Sequence, residues 1–247
     1  MPDDQTDAYW VAAPRDVVRV SGPDALTYLH GQVSQDLLAM AVGDVRWTFL
    51  LQPTGKIDVL ARVRRAAEDT FVFDVDAGYG DALAARLNRF RIRVKADVEP
   101  LDWGVISVVG AGLDDIVAAD PRPPAGLREG TAEELERDRI AAGWPAMGAE
   151  IVPGESIPAE TGVTAVAVNF AKGCYPGQEL VERMDSRGAA PPRRLRILTT
   201  AAGSRPGDPI LIDGVDVGVL TSVAGTQALG YVKRGVELGD APSAVPV

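Results

Sequence analysis

The sequence predicts an α+β body followed by a small C-terminal β-barrel, and three observations lead there. Apolar patterns of period 2 and period 3.6 alternate along the chain up to about residue 190, with no repeat of roughly 20–50 residues. Beyond Pro191-Pro192 only short β runs remain, separated by Gly and Asp turns. Apolar residues make up 46% of the 247, enough to fill a core in one large unit or two smaller ones. The expected division is an α+β body over 1–190 and a β-barrel over 191–247.

Each element has a local reason. Val17-Val18-Arg19-Val20 is a short strand, and Ser21-Gly22-Pro23-Asp24 opens a helix with Leu26 and Leu29 on one face. Trp47 to Leu51 and Ile57 to Val63 flank Pro53-Thr54-Gly55-Lys56, the pattern of a hairpin. Thr70 to Val75 is a further strand. Tyr79, Leu83, Leu87 and Phe90 recur at three- and four-residue spacing, which predicts a helix. Val105 to Val109 is a strand, and a short helix is expected near Leu113 to Ala118. Thr131-Ala132-Glu133-Glu134 matches a capping box for a helix running to about Ala142. A Gly- and Pro-rich loop covers 143–162, Val163 to Val168 is strand-like, and another helix begins near Gly177. The terminal β runs are Leu195–Thr200, Pro209–Ile212, Val215–Thr221 and Leu229–Lys233.

Charge and composition exclude several function classes. Asp and Glu number 35 against 25 Lys and Arg, a net charge of −10, which makes a poor general nucleic-acid binder. No apolar run approaches the about twenty residues that span a bilayer. The first residues, Met1 to Asp7, are acidic and polar, unlike a secretory signal or a basic transit peptide, so a soluble cytoplasmic protein is expected. One cysteine excludes an internal disulfide, and with one histidine no zinc or Fe–S ligand set exists within this chain alone, so no metal site is expected. Neither phosphate-binding glycine motif is present.

The most informative segment is Asn169-Phe170-Ala171-Lys172-Gly173-Cys174-Tyr175-Pro176-Gly177-Gln178-Glu179. The only cysteine stands just ahead of a helix start, with Lys172 nearby, a setting that lowers a thiol pKa. Gly173 and Gly177 allow close backbone approach to a ligand. A free cysteine is often only a small buried hydrophobe, but the Lys, Gln and Glu around Cys174 are more polar than a packing site needs. Arg89, Arg91, Arg93 and Lys95 alternate with Phe90, Ile92 and Val94, giving one cationic strand face. Arg183, Arg187, Arg193, Arg194 and Arg196 are met only by Glu182 and Asp185. Such faces are commonly solvated, or charged edge strands that block aggregation. Their functional reading is an anion site for a polyglutamate tail, phosphate or RNA backbone. Without interleaved aromatics the RNA version is the weaker one. His30 is read as a partly buried structural histidine.

Lys172-Gly173-Cys174-Tyr175-Pro176-Gly177-Gln178-Glu179 resembles the K-G-C-Y-x-G-Q-E signature of the YgfZ family, relatives of the folate-binding T-protein of the glycine cleavage system. Gly22 to Gln32 resembles the family's G-x-D-A-x-x-F-L-x-G-Q element, and Leu51 to Ile57 its L-x-x-x-G-K-I hairpin. Arg139 to Pro145, Ile157 to Glu160, Arg187-Gly188, Arg193 to Leu195 and Ala228 to Val232 continue the likeness. It covers about residues 15 to 235.

The resemblance implies a body around a central folate pocket, tetrahydrofolate or a derivative as cofactor, and a role in assembling or maintaining Fe–S enzymes, including tRNA-modifying ones. The implied partners are Fe–S client or assembly proteins; direct nucleic-acid contact is a weaker expectation, and no membrane is implied. On that basis Cys174 is the reactive thiol. Lys172, Tyr175, Gln178 and Glu179 contact the folate or order its loop, and Arg183 and Arg187 face its anionic tail. Asp58, Asp76 and Glu160 are the carboxylates available to it. The aminomethyltransferases carry G-G-I-x-D-D in the hairpin, whereas Gly55-Lys56-Ile57-Asp58-Val59-Leu60 ends on an apolar residue. Their R-x-E-A-G loop carries a pterin-binding Glu, where Arg139-Ile140-Ala141-Ala142-Gly143 has Ala141. Glycine-cleavage activity is therefore not expected. The competing readings are a folate-dependent one-carbon transferase on another substrate, and a non-catalytic adaptor or RNA-contacting module.

Overall fold

The computed structural model describes residues 8–186 and 190–236. In chain order the elements are β1 (Tyr9–Ala13), β2 (Arg15–Ser21), α1 (Ala25–His30), β3 (Val45–Leu51), β4 (Ile57–Ala67), β5 (Thr70–Asp76), α2 (Gly80–Arg89), β6 (Asp97–Leu101), β7 (Gly104–Val109), β8 (Ile116–Ala118), β9 (Arg128–Glu129) and α3 (Ala132–Ala141). A 3-10 turn (Pro158–Glu160), α4 (Thr164–Ala167) and α5 (Gln178–Ser186) follow, then β10 (Arg193–Thr199), β11 (Pro209–Ile212), β12 (Val215–Ala224) and β13 (Gln227–Lys233).

Three sheets organise these elements. An antiparallel five-stranded sheet runs β3-β4-β5-β2-β6, and a four-stranded sheet runs β8-β7-β1-β9. β3, β4 and β5 are buried over most of their length, so their two faces need separate partners. Phe49, Phe71 and Phe73 belong with Leu29, Leu83 and Leu87 to the main core, which brings α1 and α2 onto one face. A smaller cluster of Val17, Val72 and Val105 lies between the two sheets. Asp16, at the start of β2, accepts the Gly78 and Gly80 amides at 2.8 Å each and so caps the N-terminus of α2. β6 carries Pro100, and its place at the sheet edge tolerates the missing donor.

The third sheet runs β10-β13-β12-β11 and is antiparallel throughout. Its described strands pair as one four-stranded sheet that ends on β10 and β11, with no closure among them into the barrel that the sequence predicts. Arg139 of α3 fastens this sheet to the body: its guanidinium donates to the fully buried Glu150 carboxylate at 3.0 Å and to Ser222 Oγ of β12 at 2.8 Å. Ser222 Oγ in turn donates to Glu150 Oε1 at 2.7 Å, and Tyr231 Oη to the Glu150 carbonyl at 2.9 Å. The capping box forms as the sequence predicts: Glu134 N donates to Thr131 Oγ1 at 3.1 Å, and Thr131 N to Glu134 Oε2 at 2.8 Å.

Three local expectations are corrected. The segment near Leu113 to Ala118 is not a helix: Asp115 accepts the Val108 amide at 2.9 Å, which pins the chain so that β8 pairs with β7. Val163 to Val168 finds no strand partner; Thr164 Oγ1 donates to the Pro158 carbonyl at 2.9 Å and the segment winds into α4. The Arg89–Lys95 alternation is not a strand either. α2 ends at Arg89, and Arg93 adopts φ 59°, so the cations do not share a strand face.

The β3–β4 hairpin and the start of α5 pack backbone against backbone. Gly177 has φ +82°, and a Cβ there would overlap the Gln52 carbonyl oxygen and lie 2.9 Å from Gly55 Cα. Gly55 has φ +83°, and a Cβ there would overlap Leu180 of α5. Two glycines in contact thus set how close the Cys174 loop comes to the hairpin. Gly177→Ala is expected to cost about 3 kcal/mol or more in urea denaturation, from backbone strain plus overlap. Gly43→Ala, with φ +98° and open space around it, is expected to cost only about 1 kcal/mol. Equal losses would show that the contact is not tight.

Candidate functional site

The cavity-facing side of the five-stranded sheet is polar by alternation. Trp47 lies opposite Arg62, Arg62 opposite Asp74, and Arg15 opposite Asp76. The Arg62 guanidinium donates to Asp74 at 2.9 and 3.0 Å and to Asp115 at 2.6 Å. Arg15 completes the network by donating to Asp74 and, at 2.7 Å, to Asp76. Asp115 also accepts from Ser107 Oγ at 2.9 Å, so the network ties β4 and β5 to β7 of the second sheet. Burial opposes the charge on Arg62, but Asp74 and Asp115 more than offset it and its pKa rises. Burial would raise Asp74; Arg15 and Arg62 overcome this and hold its carboxyl below the usual range.

Above this network a cavity of about 430 Å³ opens between the sheets and α3. Trp47 and Trp144 form one wall, ring centroids 4.6 Å apart and tilted by 52°. The Arg15 and Arg62 guanidiniums each lie 5.5 Å from the Trp47 centroid, within cation–π distance. Arg139 and Glu136 of α3, Asp76 and Met147 add to the lining. The cavity offers flat aromatic surface beside positive charge, with carboxylates at its edge. A second cavity of about 590 Å³ shares Trp47, Arg62 and Asp115 and extends toward Arg64 and Asp138.

The sequence-predicted residues fall in several places. Cys174 is exposed on the loop before α5. The Lys172 ammonium donates to the His30 carbonyl at 2.5 Å and the Val33 carbonyl at 2.6 Å, and lies 4.7 Å from the Tyr175 ring centroid. Burial pushes this ammonium down to about 8, with Asp36 and Cys174 pulling it back. Tyr175 is buried, and burial followed by Glu182 pushes its hydroxyl up to about 12. The Gln178 side-chain oxygen accepts the Tyr175 amide at 2.9 Å, ordering the loop. Glu179 and Arg183 form an i,i+4 ion pair on an exposed face of α5. Arg187 lies outside the described residues.

The three carboxylates are engaged elsewhere. Asp58 accepts from Gln52 Nε2 at 2.8 Å and Arg86 Nε at 3.1 Å, stiffening the hairpin. Asp76 alone of the predicted residues lines the 430 Å³ cavity, where it also accepts the Met147 amide at 2.8 Å. Glu160 is buried and takes Arg193 Nε at 3.2 Å. Lys172, Cys174, Tyr175 and Gln178 therefore form one loop site, apart from the cavity. The close approach of Gly177 is to the hairpin backbone. His30 lies beside this loop: a Cβ on Gly173 would be 4.0 Å from its Nε2, and its Nδ1 is 3.4 Å from Asp36. Burial, then Lys172, lowers the His30 pKa, while Asp36 opposes the shift.

No family model matches the chain. It is similar to an uncharacterized protein of Haemophilus influenzae, 28% identical over 188 residues, covering 70% of this chain and 67% of that one. It is 30% identical over 216 residues to the mitochondrial iron-sulfur cluster assembly factor IBA57 homolog of Pyricularia oryzae, covering 74% of this chain and 54% of that one. The human mitochondrial IBA57 is 26% identical over 265 residues, covering 90% and 72%. Among solved structures it resembles glycine cleavage system aminomethyltransferase T of Bartonella henselae, with a TM-score of 0.73 at 19% identity over 93% of this chain and 79% of that one.

The chain's homologues include IBA57 iron-sulfur cluster assembly factors, which agrees with the YgfZ/IBA57-like resemblance of the sequence. Its fold is that of aminomethyltransferase T. The chain spans little more than half the length of the fungal relatives, as in the 54% above. Among the described residues no helix is long and apolar enough to cross a membrane.

Motifs in the sequence do not point to Trp47, Arg62, Asp74, Asp115, Trp144 and Glu150. The available signal was charge recurring at every second position inside apolar strands: Arg62 and Arg64 in β4, Asp74 and Asp76 in β5. Lys172 makes its own testable contribution. The folded protein releases its proton near pH 8, whereas an unfolded chain holds it to about 10.5. Between those values the unfolded state binds more protons, so stability gains from Lys172 as pH rises. Denaturation of wild type and Lys172→Met is expected to show a difference that is flat below pH 8 and moves in favour of wild type up to about 10.5. A pH-independent difference would contradict the buried ammonium.

Proposed function

We propose that the protein supports the assembly or maintenance of Fe–S enzymes, tRNA-modifying ones among its clients, and that it holds tetrahydrofolate or a derivative in the 430 Å³ cavity. The observation that carries the folate reading is the Trp47–Trp144 wall with Arg15, Arg62 and Arg139 beside it. A folate joins a flat heteroaromatic bicycle to an anionic glutamate, and the wall and the guanidiniums complement those two ends. The volume falls in the roughly 300–1,000 Å³ range of small-molecule pockets. Asp76, about a third exposed at the cavity edge, keeps lone pairs free to accept from a pterin amino group.

The Fe–S reading is supported by the names of the curated relatives, which are iron-sulfur cluster assembly factors. In this reading Cys174 acts from its exposed loop toward an assembly or client protein, separately from the folate. A reducing compartment such as the cytoplasm suits a lone exposed thiol. Aminomethyl transfer is not part of the proposal. Leu60 is buried and apolar, its amide 3.4 Å from Met147 Sδ, and Ala141 supplies no carboxylate.

Titration with tetrahydrofolate, followed by quenching of the four tryptophans, is expected to saturate in the micromolar range. Trp144→Leu should weaken binding at least tenfold while leaving the fold intact by circular dichroism. In cells lacking the wild-type protein, Cys174→Ala should fail to restore Fe–S enzyme activity yet still bind folate when purified. Absence of saturable quenching removes the folate assignment, and full restoration by Cys174→Ala removes the thiol from the mechanism.

A further inference from the structure

One basic cluster is used neither by the cavity nor by the cysteine loop. Arg194 and Arg196 stand two residues apart on β10, so both leave the same face of an edge strand, about 7 Å apart at the backbone. Lys233 and Arg234 come from the end of β13 and beyond it. Together these four cations line a cleft of about 240 Å³ whose remaining described lining is apolar or glycine, including Pro191 and Val232.

Charge balance separates this cleft from an ordinary solvated face. The protein carries net −10, and several surface cations sit in ion pairs, as Arg183 does with Glu179 and Arg122 with Asp120. Among the described residues no carboxylate lines the cleft, and neither Arg194 nor Arg196 makes an ion pair. Lys233 is shared with Asp216 at 3.1 Å in an exposed pair, and Arg234 donates to the Ala190 carbonyl at 3.3 Å. Asp185 lies in the neighbouring apolar cleft that Arg194 also borders, at no ion-pair distance from it. Blocking of edge pairing by charged side chains would need no concave site. Arg194, Arg196 and Arg234, none of them in an ion pair among the described residues, repel one another around the recess, and a bound polyanion relieves that repulsion.

We infer that this cleft binds a small ligand carrying two or more linked phosphate groups. Guanidinium forks pair with phosphate oxygens in bidentate fashion. One singly charged anion would leave most of the three unpaired charges of Arg194, Arg196 and Arg234 unneutralised, and linked phosphates concentrate negative charge most densely in a small volume. The site shares no lining residue with the 430 Å³ cavity and stands independently of the folate reading.

Calorimetric titration of the full chain with inorganic pyrophosphate is the test. Saturable one-site binding is expected, weakening as ionic strength rises. Arg194→Gln/Arg196→Gln should lose at least tenfold in affinity with unchanged tetrahydrofolate binding, and Arg122→Gln should lose nothing. Arg234→Gln, on an exposed side chain, is a second variant expected to weaken binding severalfold should the double variant fold poorly. Absence of saturation, or affinity retained in both the double variant and Arg234→Gln, overturns the proposal. Equal affinity for orthophosphate overturns the requirement for linked phosphates. A short single-stranded RNA that binds more than tenfold tighter through the same arginines replaces the small ligand with a nucleic-acid face.

Discussion

The buried charge network of Arg15, Arg62, Asp74 and Asp115 is the constraint on which the rest of the structure depends. Asp74 is 3% exposed and Arg62 8%, so neither charge can be left to water. Removing one partner from such a set costs on the order of 3–5 kcal/mol, because the other charge stays buried and unpaired. Meeting that demand fixes the register of β2, β4 and β5 and draws β7 and the Asp115 loop over the sheet. The cavity is the space left above the network, and the same guanidiniums that satisfy Asp74 present their faces to Trp47. A stability requirement and the proposed binding surface therefore share the same atoms.

The cysteine loop answers to a different constraint. The glycine contact at Gly55 and Gly177 presses the start of α5 onto the hairpin turn, and Lys172 fastens the loop to the end of α1. Cys174 is left exposed on a loop that is itself well anchored, an arrangement suited to meeting another macromolecule. The third sheet is attached through hydrogen bonds of Ser222 and Tyr231 to the buried Arg139–Glu150 ion pair of the body. These separate anchorages explain how one chain can keep the cavity proposed to hold folate and an exposed thiol apart.

Much of the fold was legible in the sequence because local patterns and tertiary contacts agreed there. The hairpin at Pro53 to Lys56, the α2 spacing and the Thr131 capping box all appear where their residues predict them. Short segments decided by a distant partner were not legible. Asp115 converts an expected helix into β8, and the lack of a neighbouring strand converts Val163 to Val168 into α4. The signature around Cys174 was readable as a motif, but its neighbours were not: His30 and Asp36 lie more than a hundred residues away in sequence. The central cavity was the least legible part. Its residues come from six strands, α3 and the 144–147 loop, and no short motif contains both of its tryptophans.

The proposed function depends on the cavity built over the charge network being the ligand site. Amide hydrogen exchange of the full chain with and without saturating tetrahydrofolate tests this directly. Slowed exchange is predicted in residues 9–15 and 132–147, which border the cavity, with little change in 170–177 around Cys174. Protection confined to the cysteine loop, or none at saturation, would contradict the account.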